Sequence, residues 1–508
     1  MASAYFIGAD IGTSSAKAAV ADVSGRIYGE AAEEYGLLTP EHAWAEQDAD
    51  IYLGAAMRVI RAAFEKSGAE KKSVKGICIS GLYGGSGVPL DEHMNPVRPC
   101  IIWMDRRAER ECAEIARKIS REDLFEITYN TSDPYFGFTK ILWIKNNEPR
   151  SWAKTKIFLP PNDYVIYRLT GQTVIDHTSA GNLGGVYDMR ARQWSQELMN
   201  LFGIPRGMMP ERIVEPYETA GVLTEDAARL LGLEPGTPVC GGCIDCIAST
   251  LAAGALGNGQ HTAIVSSSVN WAVIHDGRPA NMDYISMPYV IKNMLYTYGG
   301  ASTAGALLRW FRDELVPYVK KPAGPEPLTY KEMDGLAADI PPGSGGLVVL
   351  PYFMGERSPI WDAKARGAVV GLTLRHTNVN VYRAFLEASA YSLRHIMESS
   401  NIEMKPGVST VLVGGASRSK LWRQIFADVT GTDILCPLKE AEAPLGDALI
   451  AAVGAGYLKS FDAVRDWVAF DEPARPDAEA RRKYDEFYKV YKDLYISLKD
   501  KMHTLSEL

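Results

Sequence analysis

Two hydroxyl-rich stretches half a chain apart set the tightest limit on how this sequence can fold. Thr13-Ser14-Ser15-Ala16-Lys17-Ala18-Ala19-Val20 can be laid over Ser266-Ser267-Ser268-Val269-Asn270-Trp271-Ala272-Val273. The first copy reads as a hairpin tip and its return strand. Tyr5 to Ala9 is apolar, Asp10-Ile11-Gly12-Thr13-Ser14-Ser15 is a polar turn, and Lys17 to Ala21 is apolar again. Ser24-Gly25 then turns the chain into a third strand from Arg26 to Ala31. A second copy opening the second half predicts two lobes of like design with an active cleft between them. At 508 residues the chain has room for two large domains, or three.

The rest of the chain keeps alternating between strand and helix patterns. Asp48 is placed to cap a helix running through Met57 and Ile60 to Phe64. Val74 to Ser80 is a short apolar strand, followed by the Gly-rich loop Gly81-Leu82-Tyr83-Gly84-Gly85-Ser86-Gly87. Val381, Ala384, Phe385, Ala388 and Tyr391 fall on one face of a helix from Asn378 to Ser400. Val411 to Val413 reads as a strand, turned by Gly414-Gly415-Ala416-Ser417 into a helix from Ser419 to Val429. The class is therefore α/β. The charged tail from Asp477 to Leu508 reads as a solvated surface helix.

Composition removes several classes of function. Lys and Arg total 54 against 62 Asp and Glu, a net charge of −8, so there is no basic footprint for nucleic acid or an anionic membrane. No apolar run reaches the ~18 residues of a membrane span. The first ten residues lack a basic segment and Asp10 interrupts their apolar stretch, so no secretory leader is expected. Seven cysteines then read as free thiols of a reducing cytosol.

Three segments could carry chemistry. The tip from Gly8 to Lys17 is not a Walker A loop, yet its amides and hydroxyls can hold phosphate oxygens, with Asp10 beside them for Mg²⁺. As an ordinary surface hairpin it would use Asp10 only as a turn residue. Gly414-Gly415 suits close approach to a flat ligand, or simply a tight turn. Asp245 precedes an apolar helix from Ile247 to Leu256, where it fits either a helix N-cap or a general base at a domain junction. Cys240, Cys243 and Cys246 are spaced like metal ligands, but a fourth ligand is not near, and they suit a buried small-residue segment equally well.

Read together, several motifs resemble the FGGY family of carbohydrate kinases, within the actin/hexokinase/Hsp70 superfamily. The first half carries Gly8-x-Asp10-x-Gly12-Thr13-Ser14, Trp44-x-Glu46-Gln47-Asp48, Trp103-x-Asp105-x-Arg107, Phe138-Thr139-Lys140-x-Leu142-Trp143 and Pro161-x-Asp163-Tyr164. The second carries Gly355-Glu356-Arg357-x-Pro359, Arg366-Gly367-x-x-x-Gly371-Leu372 and Gly414-Gly415-Ala416-x-Arg418-Ser419. The resemblance runs from Phe6 to about Tyr457. It implies two actin-like (ribonuclease H-like) domains flanking a deep catalytic cleft: residues 1–245 binding sugar and 246–508 binding ATP.

The resemblance also implies transfer of the γ-phosphoryl group of Mg-ATP to a hydroxyl of a small sugar or polyol. It makes Asp245 the catalytic base and places Asp10, with Asp245, at the magnesium site. It assigns Gly12, Thr13, Ser14, Lys17, Ser266, Ser267, Gly305, Gly414, Gly415 and Ser419 to the nucleotide and its phosphates. Tyr83, Gly84, Trp103, Asp105 and Tyr135 fall to the sugar. Leu82-Tyr83-Gly84-Gly85 departs from the Gln-Met-His-Gly usual in xylulokinases and from the Arg-Glu pair of glycerol kinases. Asp133-Pro134-Tyr135-Phe136 resembles the glycerol-kinase segment whose tyrosine touches the polyol. Cys246 and Val265-Ser266-Ser267-Ser268 depart from the amide or small residue and the Gly-Thr-Ser-Gly loop usual there. Similarity as a whole is nearer to xylulokinases, so a cytoplasmic ketopentose kinase is expected, with a homodimer left open. The rivals are an erythritol- or glycerol-like polyol kinase and, from another class, an iron–sulfur activator ATPase.

Overall fold

β1 (Tyr5–Ile11) and β2 (Ser15–Asp22) form the expected hairpin, and β3 (Ile27–Glu34) pairs antiparallel on its far side. The computed structural model describes residues 4–82, 84–279, 281–315, 319–321, 324–326, 328–404, 407–439 and 442–508. α1 (Ala49–Ser67) starts where Asp48 accepts the amide of Asp50 and stops at Gly68 in the left-handed region. Tyr52, Ala55, Ala56, Val59, Ile60 and Ala63 form its buried stripe.

β4 (Val74–Gly81) runs parallel to β1. After α2 (His177–Leu183) the lobe adds β5 (Thr219–Val222), β6 (Pro238–Cys240) and β7 (Cys243–Ile244). The sheet order is β5-β6-β4-β1-β2-β3, with β7 also on β4. α3 (Asp245–Ala252) then leads out of the lobe, ending sooner than the small-residue run to Leu256 suggested.

The second lobe repeats the plan. β8 (His261–Val265) and β9 (Val269–His275) make the second hairpin, followed by β10 (Ile285–Pro288) and β11 (Leu295–Ala301). Then come α4 (Gly305–Trp310), α5 (Tyr330–Ala337), α6 (Asn378–Ser399), β12 (Thr410–Val413), α7 (Lys420–Thr430) and β13 (Ile434–Leu435). The order β10-β11-β9-β8-β12-β13 repeats five strands of the first sheet, hairpin on one side and parallel strands on the other, with the extra antiparallel edge strand at opposite ends, β5 in the first and β10 in the second. The duplication inferred from thirteen to twenty and its second copy is therefore a duplication of these five strands.

The chain then crosses back. α8 (Ala443–Gly454) lies against β1 and β4 of the first lobe and crosses α3. The approach is close enough to require glycine: a Cβ on Gly8 would sit 1.9 Å from the carbonyl oxygen of Pro444, and one on Gly446 2.0 Å from that of Ala248. Residues of 443–464 share their core with Phe6 and Cys78. The tail is α9 (Ala478–Glu507), and here the structure corrects the sequence reading. It is not a merely solvated helix, because Tyr484, Tyr488, Tyr491 and Met502 are buried in the second lobe's core. No helix among the described residues is long and apolar enough to cross a membrane.

Candidate active site

Three neighbouring strands bring the two expected carboxylates together. Asp10 on β1 pairs with Ser80 on β4, and Ser80 pairs with Cys243 on β7, two residues before Asp245. Asp245 is the first residue of α3; Ile244 holds the cap position and no side chain caps the helix, so the N-cap alternative is set aside. One Asp245 oxygen instead accepts the amide of Cys246 at 2.5 Å. Burial lifts the Asp10 carboxyl to about 7, against the nearby Ser80 hydroxyl and the charge of Lys17, with Glu442 adding to the rise. Burial also pushes Asp245 well above the usual carboxylate range, and the charge of Asp10 pushes it further. Two carboxylates that resist ionising side by side are a donor set suited to a hard divalent cation.

The hairpin tip stands over this pair. The Gly12 amide donates to the Ser15 carbonyl at 2.9 Å, and the Tyr35 amide to the Ser14 carbonyl at 2.9 Å. Lys17 donates to Glu442 at 3.0 Å. The indole of Trp103 donates to the Thr13 hydroxyl at 3.0 Å, tying the tip to the expected sugar side.

In the second lobe a pocket of about 810 Å³ gathers Ser266, Ser267, Gly305, Gly415 and Ser419. These come from the second hairpin tip, the start of α4 and the turn before α7. Apolar walls are added by Leu308, Tyr330, Leu421 and Trp422. A Cβ on Gly305 would meet the Ser266 carbonyl oxygen at 2.3 Å, so the α4 terminus presses directly on the tip. Gly414 has φ 88°, which lets the turn fold tightly beside Val265. The Ser419 hydroxyl is spent as the α7 cap, accepting the Trp422 amide at 3.0 Å. The second-lobe residues expected at the nucleotide are thus brought to one cavity, with Gly414 just behind it, whereas Gly12, Thr13, Ser14 and Lys17 are not among its lining residues.

The expected sugar residues divide. Gly84 lies close to both Trp103 and Tyr135: a Cβ on it would lie 2.9 Å from Trp103 Cβ and 3.1 Å from the Tyr135 ring. Asn182 on α2 accepts the Gly84 amide at 2.8 Å and donates to the Tyr135 hydroxyl at 3.2 Å. Tyr298, on β11 of the other lobe, donates to the same hydroxyl at 2.5 Å. Lys140 donates to the carbonyls of Pro134 and Tyr135, fixing that turn from behind. Tyr83 lies outside the described residues.

Asp105 is fully buried and its oxygens are taken up by the Ala45 amide and by the backbone and guanidinium of Arg107. Arg107 in turn stacks on Trp44 and Trp143 and bonds Glu46 at 2.6 Å. Three separate sequence motifs therefore close into one knot beneath Trp103.

Sequence reasoning did not find Asn182, Tyr298 or Ser80. Each is a common residue type in an ordinary helix or strand, and its role depends on contacts far along the chain. The three clustered cysteines go separate ways. Cys243 faces Asp447, Cys240 packs by Gly454 and Cys246 adjoins Tyr296. Among the described residues no group of three or more His, Cys, Asp or Glu side chains converges as a metal site.

Comparison with known proteins agrees with this layout. The N-terminal domain of the FGGY family of carbohydrate kinases matches residues 5–252, and its C-terminal domain residues 273–455. A xylulose kinase of Staphylococcus xylosus is 29% identical over 97% of this chain and 100% of its own. A gluconokinase of Bacillus subtilis (strain 168) is 27% identical over 96% of this chain and 95% of its own. The crystal structure of xylulose kinase from Rhodospirillum rubrum superposes with a TM-score of 0.90 at 29% identity, covering 98% of this chain and 100% of that one.

Proposed function

This chain belongs to the FGGY family of carbohydrate kinases, and from that premise we propose the reaction of this site: transfer of the γ-phosphoryl group of ATP to a hydroxyl of a ketopentose such as xylulose. At the coarser level the chain is a sugar kinase, phosphorylating a sugar at the expense of ATP. Kinases of this family use ATP, typically with Mg²⁺.

The observation that carries the residue roles is the seam. The Asp10–Asp245 pair lies beside a hairpin tip that Trp103 joins through the Thr13 hydroxyl, and the second lobe carries a pocket at its own tip. Asp245 is the group we assign to take the proton from the attacking hydroxyl; a carboxylate lifted by its surroundings is a better base near neutral pH. Asp10, with Asp245, would hold Mg²⁺, which when bound neutralises charge on the transferred phosphoryl group. Gly12, Thr13, Ser14 and Lys17 would meet the phosphates from the first lobe, and Ser266 and Ser267 from the second. Gly305, Gly414, Gly415 and Ser419 shape the nucleotide side. Such a reaction needs positioning and charge neutralisation more than covalent chemistry.

Gly84, Trp103 and Tyr135 would wall the sugar, with Asn182 and Tyr298 holding Tyr135; Tyr83, expected there from the sequence, lies outside the described residues. Asp105 we assign to holding Arg107 rather than to contact with sugar. The sugar half is then 1–245 and the nucleotide half 246–508, with 443–464 seated on the first lobe. We place the reaction in the cytosol, where ATP is available. The support for a ketopentose is the family membership and the xylulose kinase relatives. Release of ADP across ketoses, polyols and aldonates tests it. A ketopentose should be turned over best and glycerol weakly; glycerol or gluconate as clear best substrate would overturn the assignment.

A further inference from the structure

Behind the carboxylate pair sits a side chain that phosphoryl transfer does not obviously need. Asp447 on α8 has no solvent exposure. Its Oδ2 accepts the Ser80 hydroxyl at 2.7 Å, and its Oδ1 is approached by the thiols of Cys78 at 3.7 Å and Cys243 at 3.9 Å. The same Ser80 oxygen lies 3.2 Å from Asp10 Oδ1. A serine hydroxyl carries one proton and donates it to one acceptor at a time. The shorter contact goes to Asp447.

We propose that Asp447 is a positioning residue: it takes the Ser80 hydrogen bond, so that the Asp10 carboxylate keeps its oxygens for a divalent cation. The inference rests on the assignment of Asp10 to the cation site.

The fold goes out of its way to build this contact. Asp447 comes from the second half of the chain and reaches the first lobe's sheet only because α8 presses onto β1 at Gly8, where a Cβ would lie 2.8 Å from Asp447 Cβ. Around it α8 is apolar: Ala448, Leu449, Ile450, Ala451 and Ala452 are all buried. A helix packing for stability alone would carry another apolar residue there, because burying a carboxylate is costly unless its bonds are satisfied. Ser80 is held in the middle of three paired strands, between Asp10 and Cys243, and cannot drift from either acceptor.

The test uses the full-length enzyme with ADP, and Mn²⁺ as the probe, with free Mn²⁺ read by electron paramagnetic resonance. Mg²⁺ activation of sugar-dependent ADP release and thermal unfolding are followed alongside. In Asp447→Ala the Ser80 proton turns to Asp10, and Mn²⁺ should bind about fivefold more weakly, the size of one hydrogen bond gained by a carboxylate. Asp447→Asn keeps an accepting oxygen and should bind Mn²⁺ like the parent. The double variant Asp447→Ala/Ser80→Ala has no proton to divert and should recover to within about twofold of the parent. Packing loss alone would not be relieved by a second deletion, so an unrelieved defect in the double variant overturns the proposal. Unchanged Mn²⁺ binding in Asp447→Ala overturns it as well. Asp447→Leu, which keeps the volume, is read the same way should the alanine variant not fold. Asp10→Asn separates the two layers. If it leaves Mn²⁺ binding intact, the cation-site assignment falls and takes the inference with it. If it abolishes binding while Asp447→Ala is silent, the inference falls alone.

Discussion

The tip between β1 and β2 and the tip between β8 and β9 occupy equivalent places in two like sheets, yet they are chemically opposite. The first has residues 12–15 between the paired Ile11 and Ala16; the second has 266–268 between Val265 and Val269. One step back from each tip, Asp10 faces Lys17 in the first hairpin and Ile264 faces Asn270 in the second. Duplication preserved a backbone that offers amides and hydroxyls from both sides. At this paired position charge was kept on one side only. A cleft that must hold a cation and a base beside a polyanion gains from this division. The first lobe places Asp10 where its charge lifts Asp245, and the second offers Ser266 and Ser267 with backbone and apolar walls, its charged groups (Arg309, Lys331, Asp334, Arg418 and Lys420) lining the pocket rather than the hairpin.

The largest expected effect falls on the charged side. Asp245→Asn should cut turnover by roughly 10²–10⁴, the range for losing a general base, while ATP binding stays near normal. Steady-state kinetics with a titration of an ATP analogue reads both; near-parental sugar-dependent turnover would break the assignment. Asp10→Asn should lower turnover by roughly 10²-fold, as for loss of one preorganised electrostatic contact. Adding Ile264→Asp should not restore it, because the second hairpin has no partner carboxylate. Rescue by that addition would mean the two tips are interchangeable.

A smaller effect should appear in stability. Asp10 titrates near 7 when folded and near ~3.9 when unfolded. Between those values the folded chain keeps a proton that the unfolded chain has lost, so stability is fully present below ~4 and falls as pH rises through about 7. The slope from this one group is at most ~1.4 kcal/mol per pH unit. Denaturant unfolding in EDTA at several pH values should show the parent losing stability relative to Asp10→Asn across that window. Equal slopes would mean that Asp10 is not held in a burial-strained state.

What could be read before folding, and what could not, follows from the range of the contacts involved. The two tips were legible because glycine, serine and threonine interrupt apolar runs, a local signal. The Asp48 cap and the helical run of α1 through Ile60 to Phe64 were legible for the same reason. The α9 tail misled because its Lys and Glu outnumber a tyrosine stripe at 484, 488 and 491 whose partner surface lies elsewhere in the chain. Asp105 was visible as a motif residue, but only the fold shows Arg107 closing over it between Trp44 and Trp143. Asn182 and Asp447 had no local mark at all. One sits in a short helix and the other in an alanine-rich one, and each matters through a residue some hundred or more positions away.

The subtlest test asks whether the second lobe serves the nucleotide alone. Tyr298 belongs to β11 in the second sheet, yet its hydroxyl donates to Tyr135 in the first lobe, beside Gly84 and Trp103. Close by, Asn130 pairs with both the amide and the carbonyl of Ser286 on β10, so this edge of the second sheet is docked firmly enough to position a side chain. Tyr298→Phe keeps the ring and removes one hydrogen bond, worth about 1 kcal/mol. The KM for the sugar should rise about fivefold, while the KM for ATP stays where it was. Asn182→Ala, which removes the other donor to the same hydroxyl, should move the two constants in the same directions. A sugar KM untouched by Tyr298→Phe would restore the simple division, one lobe to each substrate. A shift confined to the sugar would show that the second sheet, without a carboxylate at its tip, still helps to shape the first lobe's pocket.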